Sequence, residues 1–196
     1  VRLFLVRHGE PERLGCFYGH HDLGLSPRGR AQMEAVAARL APEGLAAVYT
    51  SDLVRAADGA RLIAAGRGLT PVADPRLREM HLGCLEGLGH EEAARRFPEL
   101  VARPYESMLD FRMPEGGESF DDVWRRAAPL FAELRARHAD EAIAVVAHQS
   151  VNRLVLGEAL GLARPRIFAF AQDYGCLNVI DYRGERTIVR LLNGCG

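Results

Sequence analysis

The chain has 196 residues and no lysine; all 25 of its basic residues are arginine. A phosphate-binding loop of the G-x-x-x-x-G-K-[ST] kind needs its lysine and imine chemistry needs an amine, so both mechanisms are excluded. What remains is guanidinium, a planar fork suited to bidentate capture of carboxylate or phosphate. Set against 26 acidic residues, these arginines leave a formal charge of −1, without the basic surplus of a general nucleic-acid binder. Cysteine is sparse. Cys16, Cys84, Cys176 and Cys195 are scattered, with no C-x-x-C pair and no histidine at ligand spacing, so no metal is expected. No apolar run approaches the ~20 residues of a membrane span, and the start shows no signal-peptide pattern. A reducing, cytoplasmic location is expected, with no membrane partner.

With 48% hydrophobic residues, the chain can bury the core of one ordinary domain. Short apolar runs rich in β-branched residues alternate with stretches of helical period, the pattern of a βαβ protein with a largely parallel sheet. Strands are expected at 2–6, 46–50, 71–73 and 143–147, with a closing hairpin at 179–182 and 187–191. Helices are expected at 31–40 behind a Ser26 cap and Pro27, at 53–65, 91–97 and 151–160, and at 119–138 with a bend at Pro129. The segment 80–117 is less regular, with prolines at 98, 104 and 114. It reads as an excursion over the strand ends within one domain spanning 1–196.

Two places share one arrangement: a hydrophobic strand ends and a histidine follows at once. Leu3-Phe4-Leu5-Val6 runs into Arg7-His8-Gly9-Glu10, and Ala144-Val145-Val146-Ala147 runs into His148. Ligands of parallel sheets bind outside the carboxyl ends of the strands, so both imidazoles should face one cleft. Val48-Tyr49-Thr50-Ser51 leads into Asp52-Leu53-Val54-Arg55, which sets Arg55 on the first turn of a helix whose N-terminus favours anions. Alone, Arg-His-Gly carries little weight, because about one shuffled chain in eleven would contain it.

Together these segments become specific. Leu5-Val6-Arg7-His8-Gly9-Glu10, Tyr18-Gly19 and Leu25-Ser26-Pro27-Arg28-Gly29 resemble the opening of the histidine phosphatase superfamily, the phosphoglycerate mutase-like proteins. Ser51-Asp52-Leu53-Val54-Arg55-Ala56 resembles the family's second arginine motif. Leu77-Arg78-Glu79 with Gly83 and Glu86-Gly87 resembles its acid motif, Gly116-Gly117-Glu118-Ser119 its later glycine turn, and Val145-Val146-Ala147-His148 its last catalytic strand. The resemblance implies a three-layer α/β/α fold with a mostly parallel central sheet, and a metal-independent phosphomonoesterase needing no cofactor. It further implies that His8 is the nucleophile, that Arg7, Arg55 and His148 bind the phosphoryl oxygens, and that Glu79 donates the proton. Gly9, Tyr18 and Gly19 are expected beside the substrate. The chemistry agrees, because phosphoryl transfer without a metal needs cationic donors around the equatorial oxygens.

Three positions depart from the family pattern: Leu14 stands for a common asparagine, Gln149 for a glycine and Cys176 for a serine. Gln149 is expected at the substrate, where it would either crowd the backbone approach or bring its side-chain amide to the site. Cys16-Phe17-Tyr18-Gly19, Val151-Asn152-Arg153 and Gly175-Cys176-Leu177-Asn178 look most like phosphatases related to α-ribazole phosphatase, so the expected substrate is a small phosphorylated metabolite such as α-ribazole phosphate. A phosphoglycerate mutase-type phosphotransferase and a non-catalytic phospholigand-binding protein are the alternatives. The oligomeric state is open, a homodimer included. His20 and His21 read as a solvated loop, the Arg95-Arg96 and Arg125-Arg126 pairs as solvated helix faces, and Trp124, Phe168 and Phe170 as core.

Overall fold

The computed structural model describes residues 1–195. Its six strands form one sheet in the order β3-β2-β4-β1-β5-β6. They are β1 (Arg2–Arg7), β2 (Leu45–Thr50), β3 (Val72–Ala73), β4 (Ala142–Ala147), β5 (Leu177–Arg183) and β6 (Arg186–Gly194). The first four are parallel; β5 runs antiparallel to β1, and β6 returns antiparallel to β5 to close the sheet with a hairpin. Helices on both faces complete a three-layer α/β/α architecture.

Strand alternation decides what each face buries. Phe4, Val6, Val48, Ala144 and Val146 point toward α1 (Pro27–Leu40) and α2 (Val54–Ala64), meeting Met33, Val36, Leu40, Ala60 and Ile63. Leu3, Leu5, Ile143 and Val145 point the other way, toward α5 (Phe120–Arg137) and α6 (Gln149–Ala159), where Val123, Leu130, Leu134, Val151 and Val155 receive them. Each fully buried Leu, Ile or Val contributes roughly 1.5–3 kcal/mol. Caps fix where these helices begin. The Ser26 side chain accepts from the Gly29 N–H at 2.9 Å, and Ser119 with Asp122 forms a reciprocal capping box at the head of α5, each cap worth about 1 kcal/mol. α5 continues through Pro129 as one 18-residue helix. Trp124, Phe168 and Phe170 pack half-buried against the α5 and α6 core.

Between β3 and α5 the chain forms α3 (His90–Arg96), α4 (Pro98–Val101) and single 3₁₀ turns at Pro75–Leu77, Gly83–Leu85 and Tyr105–Met108. Leu85, Ala93 and Met113 make a small core of their own with Phe17, Leu100 and Phe111. Backbone bonds from Phe17 N to Leu88 O (2.9 Å) and from His90 N to Gly15 O (2.9 Å) dock the segment on the loop that follows β1.

β1 and β4 are neighbours, paired up to Arg7 and Ala147. From β1 the chain crosses to β2 on one side, and from β4 it crosses to β5 on the other, so a crevice opens between the two strand ends. Arg7, His8 and His148 stand at that point.

Candidate active site

His8 follows the last residue of β1, and its backbone N–H still bonds to Ala147 O at 3.1 Å, as if the strand continued. The ring is buried. Its Nδ1 lies 2.7 Å from the carbonyl oxygen of Gly9, which assigns the proton to Nδ1 and leaves the Nε2 lone pair free. Gly9 permits this turn because the chain touches α1 there: a Cβ would lie 2.1 Å from the Gly29 carbonyl oxygen. His148 caps α6 through its backbone, and its ring centroid is 4.9 Å from that of His8. Burial, followed by the charges of Arg55 and Arg7, holds the His8 pKa well below the usual 6.5. His148 is held down by burial and by Arg55 in the same way. Both rings are therefore neutral near pH 7.

Arg55, on the first turn of α2, is fully buried. Its guanidinium donates to the carbonyls of Gly19 (2.7 Å), His21 (3.2 Å) and Tyr18 (3.3 Å), so the loop after β1 orients it. That loop is in turn tied down by Glu86, whose carboxylate accepts from the N–H groups of His20, His21 and Leu82. Gly19 has to be glycine, since a Cβ would stand 2.1 Å from Met80 O. Arg7 donates from Nη1 to Gln172 O at 2.5 Å and lies 3.9 Å from the centroid of the Tyr174 ring. Tyr18 faces Arg55 at 5.2 Å, and the Tyr18 and Tyr174 hydroxyls are hydrogen-bonded to each other.

Glu79 follows the turn at Pro75–Leu77, and its carboxylate accepts from the N–H of Met80 (2.8 Å) and of Ser150 (3.2 Å), in the first turn of α6. Its backbone oxygen accepts from Arg126 Nη2 and His20 Nε2, both at 2.9 Å. Gln149 and Ser150 join Glu79 in lining a cavity of about 160 Å³ that opens toward 80–117. A larger groove of about 1000 Å³ lies at the opposite ends of the strands, around Arg2, Ala142 and Asp181, away from both histidines.

Five buried side-chain atoms among the described residues have no hydrogen-bond partner, and four belong to this cluster: Arg7 Nε, Arg55 Nε and both ring nitrogens of His148. An unsatisfied buried polar group costs roughly 1–3 kcal/mol. Donors drawn from three separate segments and left unpaired around one free imidazole nitrogen can together accept a multiply charged oxyanion. Among the described residues no group of three or more His, Cys, Asp or Glu side chains is placed to hold a metal ion, and no helix is long and apolar enough to cross a membrane.

The structure thus brings Arg7, His8, Gly9, Tyr18, Gly19, Arg55, Glu79, His148 and Gln149 to one crevice, whereas the Leu14 side chain is exposed. Two expectations are corrected. Arg126 is not a solvated helix face; it is mostly buried and bonds to Glu79 O, Arg76 O and Glu118. His20 is not a solvated loop residue either, being half-buried edge-on against His81 with ring centroids 4.8 Å apart. Tyr174, Gln172 and the Ser150 N–H carried no expected role. Asn178 had a signal, a polar residue inside the apolar run 177–180; it is buried, and its amide holds both Gln172 and Leu5 O.

A family model for the histidine phosphatase superfamily (branch 1) matches residues 3–194. Phosphoserine phosphatase 1 of Hydrogenobacter thermophilus is 31% identical over 195 residues, covering 98% of this chain and 92% of that protein. The adenosylcobalamin/α-ribazole phosphatase of Escherichia coli is 29% identical over 195 residues, covering 98% of this chain and 96% of that one. Among solved structures, Bacillus stearothermophilus YhfR superposes with a TM-score of 0.91 at 27% identity, over 100% of this chain and 98% of that chain.

Proposed function

Because this chain belongs to the histidine phosphatase superfamily and is a phosphoric monoester hydrolase, we propose that it hydrolyses a small phosphorylated metabolite, without a metal, through a phosphohistidine at His8. The observation that carries this reading is the set of four unpaired buried nitrogens on Arg7, Arg55 and His148 around the His8 ring. A phosphoryl group bound there would meet the Arg7 Nε–H, the Arg55 Nε–H and the single N–H of the neutral His148 ring with its equatorial oxygens. The same donors bind more strongly as charge develops in transfer, so they lower the barrier as well as the dissociation constant.

In the first step His8 Nε2 bonds to phosphorus while the ester P–O bond breaks, and the leaving oxygen takes a proton from the Glu79 carboxyl. In the second, water attacks phosphorus, its proton returns to Glu79, and the N–P bond breaks to release inorganic phosphate. Tyr18 and Tyr174 cover the two arginines, and Gly9 and Gly19 let the backbone approach closely. Gln149 reaches the alcohol side of the site, supported by its position beside Glu79.

The names of the relatives put forward phosphoserine and α-ribazole phosphate as substrates, and both belong in the test beside p-nitrophenyl phosphate. Turnover unaffected by EDTA, with a base-stable, acid-labile phosphoryl adduct that His8→Ala abolishes, is the expected outcome. Label retained on His8→Ala would reject this nucleophile, and no turnover of any phosphomonoester would return the site to a binding role.

A further inference from the structure

Glu79, the proposed proton donor to the leaving oxygen, lines the cavity that opens toward 80–117 together with Gln149 and Ser150, so an alcohol esterified to the phosphate would extend into it and its walls would describe that alcohol. The cavity volume of about 160 Å³ is close to that of a cavity that encloses one benzene ring, about 150 Å³. The floor is apolar, with Phe17, Leu82, Leu85 and Phe120 among its residues. Three of the four methionines in the chain, Met80, Met108 and Met113, line it as well. Thioethers adapt to ring shapes and make favourable contacts with aromatic edges. A polyol placed here would leave hydroxyls without partners on most sides.

One wall is different. Arg103 stacks its guanidinium 3.9 Å from the Phe111 ring, and its Nε is the fifth buried atom without a partner. Among the described residues its side chain forms no hydrogen bond and no ion pair. The other arginine at the cavity, Arg153, already donates to the carbonyls of Ile167 and Phe170. The phosphate itself would repel a second negative charge close by, so an anionic group on the alcohol is tolerated only at the end remote from it.

We propose that this cavity is a subsite for an aromatic or similarly sized apolar alcohol bearing a carboxylate at its far end, and that Arg103 receives the carboxylate. The inference rests on the phosphatase reading above and adds the substrate class. It sets a ring and a distal charge against the hydroxyls of a ribose and the small zwitterion of phosphoserine.

The test compares kcat/KM for benzyl phosphate, its 4-carboxy derivative and glucose 6-phosphate, with p-nitrophenyl phosphate as the control for turnover. The two benzyl esters release similar primary alkoxides, so their ratio reports the carboxylate. We expect benzyl phosphate to exceed glucose 6-phosphate by about 10-fold or more, from burial of the ring. The carboxylated ester should exceed benzyl phosphate by a further ~10-fold, from a charge-assisted hydrogen bond. Arg103→Gln should bring that second ratio close to one, and Arg103→Lys should restore part of it. A fold-independent check uses the wild-type protein: 4-(hydroxymethyl)benzoate should inhibit more strongly than benzyl alcohol. Equal rates for glucose 6-phosphate and the benzyl esters, with p-nitrophenyl phosphate turned over, would overturn the subsite and leave the phosphatase standing. A preference for the ring with none for the carboxylate, or one that survives Arg103→Gln, would overturn the role of Arg103. Failure to turn over p-nitrophenyl phosphate would remove both readings together.

Discussion

Replacing His148 with glutamine should make the protein less sensitive to acid. In the folded state the ring is wholly buried and neither nitrogen is hydrogen-bonded, and burial with the nearby Arg55 charge holds its pKa well below 6.5. In the unfolded chain the same ring titrates at about 6.5. Between about pH 7 and pH 5 the unfolded state therefore takes up nearly one proton that the folded state refuses, and stability falls as pH falls. If the buried ring takes up no proton in this window, the loss integrates to at most about 2 kcal/mol from the unfolded-state titration alone, and His8, depressed by burial and by the same arginines, acts in the same direction. Urea unfolding at the two pH values, for wild type and His148→Gln, isolates one share. Asp181, held down to about 2 by Arg2, titrates below this window and is common to both proteins. Wild type should lose more than the variant, by up to about 2 kcal/mol. An equal loss in both would mean that His148 protonates freely in the fold, and the neutral-imidazole account of the site would fall with it.

Arg55→Lys keeps the charge but loses the fork that spans three backbone carbonyls and still offers Nε to the site; kcat/KM should drop by about 100-fold or more, and a near-normal value would place Arg55 outside the chemistry. Glu79→Gln should slow phosphorylation of His8 by an alkyl ester by about 10²–10⁴-fold and by the nitrophenyl ester far less, read by rapid mixing; equal slowing would make Glu79 a positioning group. Arg126→Met leaves the Glu79 and Arg76 carbonyls and Glu118 short of a donor, so it should destabilise the fold by about 2 kcal/mol, against less than about 0.5 kcal/mol for the exposed Arg95→Met; equal effects would reject the buried account of Arg126.

The parallel core was legible because its strands are near-continuous apolar runs, and the two histidines were legible because each follows such a run directly. Boundaries slipped where backbone alone did the work. α6 begins at Gln149 rather than at 151, since His148 caps it without a side-chain bond. The 3₁₀ turns and α4 are too short to leave a period. Arg126 could have been found: it stands three residues after Val123 and four before Leu130, on the flank of the buried stripe of α5. Tyr174 and the Ser150 N–H could not, because one sits in an irregular loop and the other is main chain, and only the closed fold brings them to Arg7 and Glu79.

The position of β1 has a consequence for how the protein is made. The earliest of these six strands in the chain lies between the fourth and the fifth, with Val6 paired to Val146 on one side and Leu177 on the other. Both partners close long loops, so entropy is lost before contacts compensate for it, and folding should be slow for a chain of this length. Until then an apolar strand stands with both edges open, the kind of surface that invites pairing with other chains. The site inherits this order of events. A nascent chain that has reached Ala147 holds His8, Arg55, Glu79 and the strand before His148, yet Arg7 still lacks the Gln172 carbonyl and the Tyr174 ring that aim it. Phosphatase activity would thus appear abruptly, once the segment from Gln172 through β5 has been made, rather than grow as the chain lengthens.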